Sequence, residues 1–307
     1  VGSEMCIRDR ANPIYDVAFK FLMEDKRIAM FFIGTLLNEV IEEVTVKPQE
    51  YVYTDLLAGL AVFRLDFVAT IRTEKNELKK VLVEIQKAKN SIDLMRFRNY
   101  LGEQYKKEDE INGQKIALPI VTIYLLGFKL QEIESSVIKV NRHYTDLLTN
   151  KVIDKKSEFI EKLTHDCFVV QLGRIEAKVE TKLEKLLSIF EQHYFTDDSN
   201  IIKEYNYKID DDNINRMVEK LHYVGTEPSE RKKIEDEKEA WRTVDALTDG
   251  LKEKNQKLQN SIELKEKLIE DKDKTIEDKD KTIEDKDKTI EDKDKTIEEL
   301  KRRLGEK

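Results

Sequence analysis

The order of apolar patterns along this 307-residue chain predicts an α/β fold in which helices flank a mixed sheet. Three observations predict it. Apolar residues recur at helical spacing before residue 43, and strand-like runs follow at 62–71 and 80–87. An amphipathic segment at 91–107 then precedes a continuous apolar run at 118–128. The succession helix, strands, helix, strand is typical of a sheet that buries both faces against helices.

The individual elements follow from local patterns. Residues 12–43 predict two helices, and a short strand is expected at 44–46. The run at 80–87 is apolar enough to be central in a sheet. Ser91 is a favoured N-cap residue for the helix that follows it. The run LPIVTIYLLGF at 118–128 is rich in β-branched and aromatic residues, which predicts a buried strand.

The second half of the chain predicts mainly helices, at 155–163, 174–193 and 212–223. After Pro228 a charged helical pattern continues to the end, so we expect a helical extension at 227–307.

The rest of the chain divides into three parts before that extension. We expect a core at 11–150 and a helical region at 151–226 packed on it. The first ten residues, VGSEMCIRDR, resemble a translated sequencing-adapter leader, so residues 1–10 are treated as non-native and kept out of the fold prediction.

The extension contains four tandem copies of IEDKDKT, at 269–296. Isoleucine recurs every seven residues, but the companion d position of the heptad holds lysine in the repeats. A coiled-coil seam needs apolar residues at both positions, so the pattern predicts a weak coiled coil. Two readings stay open, a solvated helix and a weak parallel homo-oligomer.

Composition excludes some function classes. Charged residues make up 38% of the chain, yet the formal net charge is −8, which excludes a globally basic nucleic-acid binder. Local basic clusters leave nucleic acid open as a substrate. Only two cysteines occur, and no apolar stretch approaches 18 residues. We expect no membrane partner and a soluble protein of the reducing cytoplasm.

The candidate site lies on the two strand-like runs. Glu84 and Gln86 are two positions apart and should face one side of a strand, whereas Val83 and Ile85 face the other. If the strands pair through the turn-like segment at 73–78, Asp66 can approach Glu84. Adjacent carboxylates repel one another unless a cation joins them, and such a pair suits Mg²⁺.

These residue types are suited to phosphodiester hydrolysis. A metal held by Asp66 and Glu84, with the Ile85 carbonyl as a third ligand, polarises a phosphoryl oxygen and activates water, which Gln86 could orient. Arg96 and Tyr100 are one helical turn apart on the following segment. They could hold the scissile backbone or brace Glu84.

The chain resembles the PD-(D/E)XK nuclease superfamily, specifically the nuclease family transposases related to the recombination-promoting Rpn nucleases. The resemblance covers residues 11 to about 225 and is carried by several blocks in order. They are NPIYDVAFKFLM at 12–23, FRLDFVA at 63–69, VLVEIQKAK at 81–89, the segment with Arg96 and Tyr100, PIVTIYLLGF at 119–128 and LTHDCFVVQLGRI at 163–175.

The resemblance implies a restriction-endonuclease-like core and Mg²⁺-dependent DNA cleavage, with Mn²⁺ as an alternative ion and with Asp66 and Glu84 as ligands. It also implies an association with mobile elements or recombination. Gln86 stands where the superfamily usually has lysine. Lys20 could supply the missing cation, and Asp16, one turn earlier on the first helix, could approach the metal; the alternative is an ion pair between Asp16 and Lys20 on the helix surface.

Two other functions stay open at the level of sequence. One is a catalytically silent nuclease-fold protein that assembles through its C-terminal helix. The other is an RNase on the same core, since no base-reading module is visible. We interpret the run His165, Asp166 and Cys167 as a structural part of a helix, and Trp241 as part of a helix seam.

Overall fold

The computed structural model describes residues 10–47, 67–87, 91–176, 178–196, 200–207 and 210–305. Asp66 lies outside the described residues. The chain divides into two compact units, residues 1–239, called the body here, and residues 240–307.

The first half of the chain, up to residue 126, contains a central α/β arrangement and a small hairpin. Its elements are β1 (Arg10–Ala11), α1 (Asp16–Met23), α2 (Lys26–Leu37), β2 (Ile41–Val46), β3 (Phe67–Thr73), β4 (Leu78–Gln86), α3 (Ser91–Lys106), β5 (Asp109–Ile111), β6 (Gln114–Ile116) and β7 (Ile120–Leu126).

The second half adds short strands, one further long strand and the later helices. Its elements are β8 (Val137–Val140), β9 (Tyr144–Asp146), β10 (Lys151–Ile153), α4 (Glu158–Leu163), β11 (His165–Gln171), the 3₁₀ helix η1 (Leu172–Arg174), α5 (Lys182–Ser188), β12 (Ile202–Lys203), α6 (Asp212–Thr226) and α7 (Pro228–Arg303).

The main sheet has six strands in the order β2-β3-β4-β7-β11-β8. Strand β3 is antiparallel to both β2 and β4. Strand β7 is parallel to both β4 and β11, and β8 returns antiparallel to β11. The parallel pair β4 and β7 is connected through α3, which is the crossover that parallel strands require. The predicted α/β fold with a mixed sheet is therefore confirmed.

The turn between β3 and β4 confirms the predicted hairpin. Asn76 has φ 58°, in the left-handed region that asparagine tolerates better than most residues. Its side chain accepts a hydrogen bond from Arg72 at 2.7 Å. This turn sets a register in which Phe67 lies opposite Val83.

Side chains alternate between two apolar clusters on the opposite faces of β4. Val81, Val83 and Ile85 join the larger cluster, which also contains buried residues of α1, α2, α5 and α6. Leu82 joins a smaller cluster with Phe97 of α3. Because successive strand residues point to opposite faces, Glu84 and Gln86 belong to the face that α3 covers.

Helix capping explains where α2 begins and ends. The side chain of Asp25 accepts hydrogen bonds from the backbone amides of Arg27 and Ile28. This satisfies two amide groups that have no partner within the helix. Asn38 ends the helix in the left-handed conformation at φ 54°.

Two sequence predictions in the second half were wrong. In place of a helix over 174–193, the structure has η1 and then the short α5. A capping box between Thr181 and Glu184 fixes the start of α5, which explains why the helix does not extend back to Arg174. His165, Asp166 and Cys167 lie on strand β11, not on a helix.

Other predicted elements agree closely. Strand β7 falls within 118–128, α3 within 91–107, and α6 covers the helix predicted at 212–223. Residues 155–163 contain α4, which starts three residues later than predicted. The small strands β5, β6, β8, β9 and β10 were not predicted.

Arg10 is part of the described body. It pairs with Lys203 between β1 and β12, its side chain is 1% exposed, and its guanidinium carbon lies 4.2 Å from the centre of the Tyr205 ring.

Residues 240–307 contain the larger part of α7. Every described side chain from residue 253 to residue 305 is exposed. Among the helices described in either unit, none combines the length and the apolar character needed to cross a membrane.

Candidate functional site

The candidate site is built on β4, which has β3 on one side and β7 on the other. Glu84 lies opposite Tyr124 of β7, and Gln86, the last residue of β4, lies opposite Leu126. Only 2% of Glu84 is exposed, whereas Gln86 is half-buried. The structure thus confirms that the two polar side chains share a face and places the acid deep in the sheet.

Two tyrosines lie close enough to Glu84 to respond to its charge. Burial, and after it the negative charge of Glu84, raises the pKa of Tyr100 on α3. Burial also raises the pKa of Tyr124, with smaller contributions from Cys167 and Glu84. Both phenols therefore keep their protons at neutral pH and remain able to donate hydrogen bonds.

The position of Tyr100 bears on its two predicted roles. Only 3% of its side chain is exposed, and it packs in the smaller cluster with Val68, Leu82 and Ile120. A side chain so buried is poorly placed to bind a DNA backbone. Its burial and its electrostatic coupling to Glu84 favour the role of brace.

The structure describes three other predicted site residues to different extents. Ile85 is 6% exposed and packs in the larger cluster, so a ligand role would fall to its backbone carbonyl. Arg96 lies in α3, but its side chain is outside the described residues. Asp66 is outside them as well; in the sequence it directly precedes Phe67, which pairs with Val83, the neighbour of Glu84.

Asp16 and Lys20 form the predicted ion pair within α1. Lys20 Nζ lies 2.6 Å from Asp16 Oδ2, and both side chains are about one-third exposed, at 32% and 30%. An exposed i,i+4 pair of this kind contributes roughly 0.3–0.5 kcal/mol. The pair is the alternative that the sequence left open, and the roles of Asp16 in metal binding and of Lys20 in substrate binding stay predictions.

The sequence reasoning missed a charged contact directly after the site strand. Lys87 follows Gln86, forms an ion pair with Glu237 of α7, and lies with its ammonium 4.5 Å from the centre of the Tyr15 ring. The Glu237 carboxylate also accepts hydrogen bonds from the backbone amides of Asp16 and Val17, at 3.0 and 3.2 Å. The Glu237 carboxylate therefore satisfies two amides at the start of α1, and its negative charge interacts favourably with the positive end of the helix dipole.

A second missed contact lies four residues before Glu84 on the same face of β4. Lys80 is 2% exposed, and its ammonium forms an ion pair with Asp109 Oδ2 at 2.7 Å. The angles at this contact do not meet those of a hydrogen bond. Lys47 approaches the other oxygen of Asp109 at 2.6 Å. We interpret this cluster as structural, because each of the two ammonium groups lies against an oxygen of the same buried carboxylate.

His165 and Cys167 also lie on the face of the sheet that α3 covers. Tyr105 of α3 is 2.9 Å from His165 Nδ1, and burial lowers the pKa of this histidine. Burial raises the pKa of the Cys167 thiol, which disfavours the reactive thiolate. These surroundings agree with the structural interpretation of both residues.

The donors on the described part of β4 are oxygen atoms, which is the ligand type that Mg²⁺ takes. They comprise one carboxylate, one side-chain amide and backbone carbonyls. Within the described residues, no group of three or more His, Cys, Asp and Glu side chains is arranged to hold a metal ion. A complete metal site would require Asp66, so the described residues supply a part of the predicted ligand set.

Comparisons with known proteins assign no family. No protein-family model matches the sequence, and neither the curated proteins nor the solved structures include a significant match. The resemblance drawn from the sequence blocks therefore stays a prediction.

Proposed function

We propose that this chain is a metal-dependent DNA endonuclease that hydrolyses phosphodiester bonds on a restriction-endonuclease-like core. The observation that supports it most is the placement of Glu84, 2% exposed in a central strand and next to Val83, which pairs with the residue following Asp66. A buried carboxylate is costly unless cations or proton donors surround it. A strand position of this kind is suited to a metal ligand.

The proposed roles follow from the chemistry of each group. Asp66 and Glu84 would hold Mg²⁺ or Mn²⁺, with the Ile85 carbonyl and Asp16 as further ligands. A bound ion polarises the phosphoryl oxygen and lowers the pKa of a water. The amide of Gln86 would orient the attacking water, because it can both donate and accept a hydrogen bond.

The remaining residues would hold the substrate or the site. Arg96 has a planar fork that matches phosphate oxygens, and Lys20 supplies a point charge. Tyr100 would brace Glu84 from α3. In the reaction, water adds across a P–O bond, so that one DNA end keeps the phosphate and the other gains a hydroxyl. The association with mobile elements or recombination, and a cytoplasmic location, belong to the same proposal and rest on sequence alone.

A nuclease assay on purified full-length chain tests the proposal. Circular and linear duplexes are incubated with and without Mg²⁺, and nicking should require the ion. Asp66→Ala and Glu84→Ala should each abolish cleavage, while the near-ultraviolet circular dichroism of the tyrosines stays the same as in the wild type. Gln86→Ala should reduce cleavage to a smaller extent. Glu74→Ala is the matched control, because Glu74 is an exposed acid on the same hairpin. Unchanged cleavage by either of the first two variants would contradict the proposal.

The same assay run with an RNA substrate separates the RNase alternative, since cleavage of RNA in place of DNA would identify it. A second candidate function is a catalytically silent nuclease-fold protein that assembles as a homo-oligomer through its C-terminal helix. The row of exposed isoleucines on α7 favours this candidate. Titration with Mg²⁺ distinguishes it, because a silent protein should bind no ion in a manner that depends on Asp66 and Glu84.

A further inference from the structure

One side of α7 carries an apolar stripe with a spacing of seven residues. Its members share heptad position a, and between 48% and 76% of each side chain is exposed; they are Ile262, Ile269, Ile276, Ile283, Ile290, Ile297 and Leu304. The lysines at d separate these residues within the repeats, so the stripe is a row of single apolar side chains along one side of the helix. Residues at this spacing occupy position a, which is one of the two positions that form the seam of a coiled coil.

We propose that a second copy of this chain covers the stripe, as a parallel two-stranded coiled coil with the two helices in register. The first argument is Asn255, which lies seven residues before Ile262, occupies the same heptad position and is exposed. An asparagine at a single a position fixes register and oligomeric state, because it pairs best with the same residue of a partner helix.

The need for such a device comes from the tandem repeats. Within residues 269–296 a slip of seven residues places isoleucine on isoleucine again, so the repeats alone define no unique alignment. A slip of the whole helix by seven residues would place Asn255 against Ile262 of the second copy. This would bury an amide without a hydrogen-bond partner, at a cost in stability. Asn255 therefore favours one alignment over all the slipped ones.

The charge pattern supports the parallel orientation. At the d positions of the repeats, Lys272, Lys279, Lys286 and Lys293 are each followed by an aspartate at position e. In a parallel pair in register, each d lysine lies opposite the same lysine of the other helix and beside an e aspartate of that helix, which offsets the repulsion between the two ammonium groups. Its hydrocarbon stem covers the isoleucines while its ammonium reaches that carboxylate. An antiparallel pair would instead bring the e aspartates of the two helices together.

The ion pairs within each helix leave this seam available. Glu270 with Lys274 and Glu277 with Lys281, each at 2.9 Å, occupy positions b and f on the outward side. Both ends of the repeat region have apolar residues at d as well, Leu258 before Ile262 and Leu300 after Ile297. The lysine layers are therefore enclosed between layers of ordinary coiled-coil type.

The mass of the full-length chain in solution tests the second copy. Sedimentation equilibrium should give twice the chain mass of 36.1 kDa. The double variant Ile276→Gln with Ile283→Gln should give a monomer. The matched control, Lys274→Gln with Lys281→Gln, places the same residue on the outward side and should remain a dimer. A monomeric wild-type chain at tens of micromolar would overturn the proposal.

Disulfide cross-linking tests the orientation. In a Cys6→Ser, Cys167→Ser chain, Ile262→Cys or Leu304→Cys alone should form an intermolecular disulfide under mild oxidation by copper phenanthroline. Antiparallel helices would link the two variants to each other when they are mixed, but neither variant to itself. A dimer that fails to cross-link at both positions refutes the parallel register. Nuclease activity is measured separately, so a result that refutes the dimer does not bear on the proposed hydrolysis by the body.

Discussion

Gly127 controls the distance between the ends of the two central strands. It directly follows β7, and its amide donates a hydrogen bond to the Gln86 carbonyl at 2.8 Å. A Cβ at this position would lie 2.8 Å from the Lys87 carbonyl oxygen and 3.0 Å from Ile14 Cδ1. The carbonyl belongs to the backbone and cannot rotate away, so in Gly127→Ala the end of β4 must move by several tenths of an ångström.

This displacement should affect both stability and activity. Overpacking of this kind costs about 1–3 kcal/mol of unfolding free energy. The strand end that must move carries Glu84 and Gln86, and a misplacement of about 1 Å lowers catalytic rates by about a hundredfold. We expect Gly127→Ala to retain the fold and to lose about ten- to a hundredfold in Mg²⁺-dependent nicking.

The matched control is Gly102→Ala in α3. Nothing lies within 4 Å of a Cβ at Gly102, so the same substitution should raise the unfolding free energy by about 0.5–1 kcal/mol. Urea unfolding followed by tyrosine near-ultraviolet circular dichroism reports on the body, because all 11 tyrosines precede residue 224. If the two variants shift the midpoint in the same direction, the steric reasoning about Gly127 is refuted.

Two further predictions concern charges in the body. Asp109→Ala removes the carboxylate that lies 2.7 Å from the buried Lys80 ammonium, and it should lower the free energy of unfolding in urea by about 3–5 kcal/mol. The double variant Lys80→Met with Asp109→Leu should recover most of that loss. Equal losses in the single and the double variant would contradict the argument. Burial alone would raise the pKa of Asp25, but the hydrogen bond and charge of Arg216 and two backbone amides lower it overall. The resulting stabilisation is present above the pKa of the unfolded carboxyl and is lost as pH falls through the lower folded pKa. The difference in Tm between wild type and Asp25→Asn should therefore vanish on acidification, and a difference independent of pH would refute the assignment.

The elements that could be predicted are those with a strong local signal. The alternation of Val83, Glu84 and Ile85 determines which faces they occupy, whatever lies around the strand. The turn at Asn76 and the apolar run of β7 are likewise local. The larger fold follows because few sheet arrangements accommodate helix, strands, helix and strand in that order.

The elements that were missed depend on distant partners. Strand β11 begins with His165 and Asp166, whose polarity hides a strand that pairs with β7 and β8. The capping box of Thr181 and Glu184 was a local signal for the start of α5, but the helical periodicity that spans it concealed the boundary. The ion pair between Lys87 and Glu237 joins positions 150 residues apart, and no spacing rule in the sequence indicates it.

Comparison of Lys80 and Glu84 shows what the structure adds to the candidate site. Both are buried to 2% exposure on the face of β4 that α3 covers, four residues apart. Lys80 lies against the carboxylate of Asp109, so a structural account of this charge is sufficient. Glu84 lies near the phenols of Tyr100 and Tyr124, which stay neutral because their pKa values are raised. Phenols that keep their protons can donate hydrogen bonds to a carboxylate. The response of Glu84 to divalent cations is the property that tests its proposed role as a metal ligand.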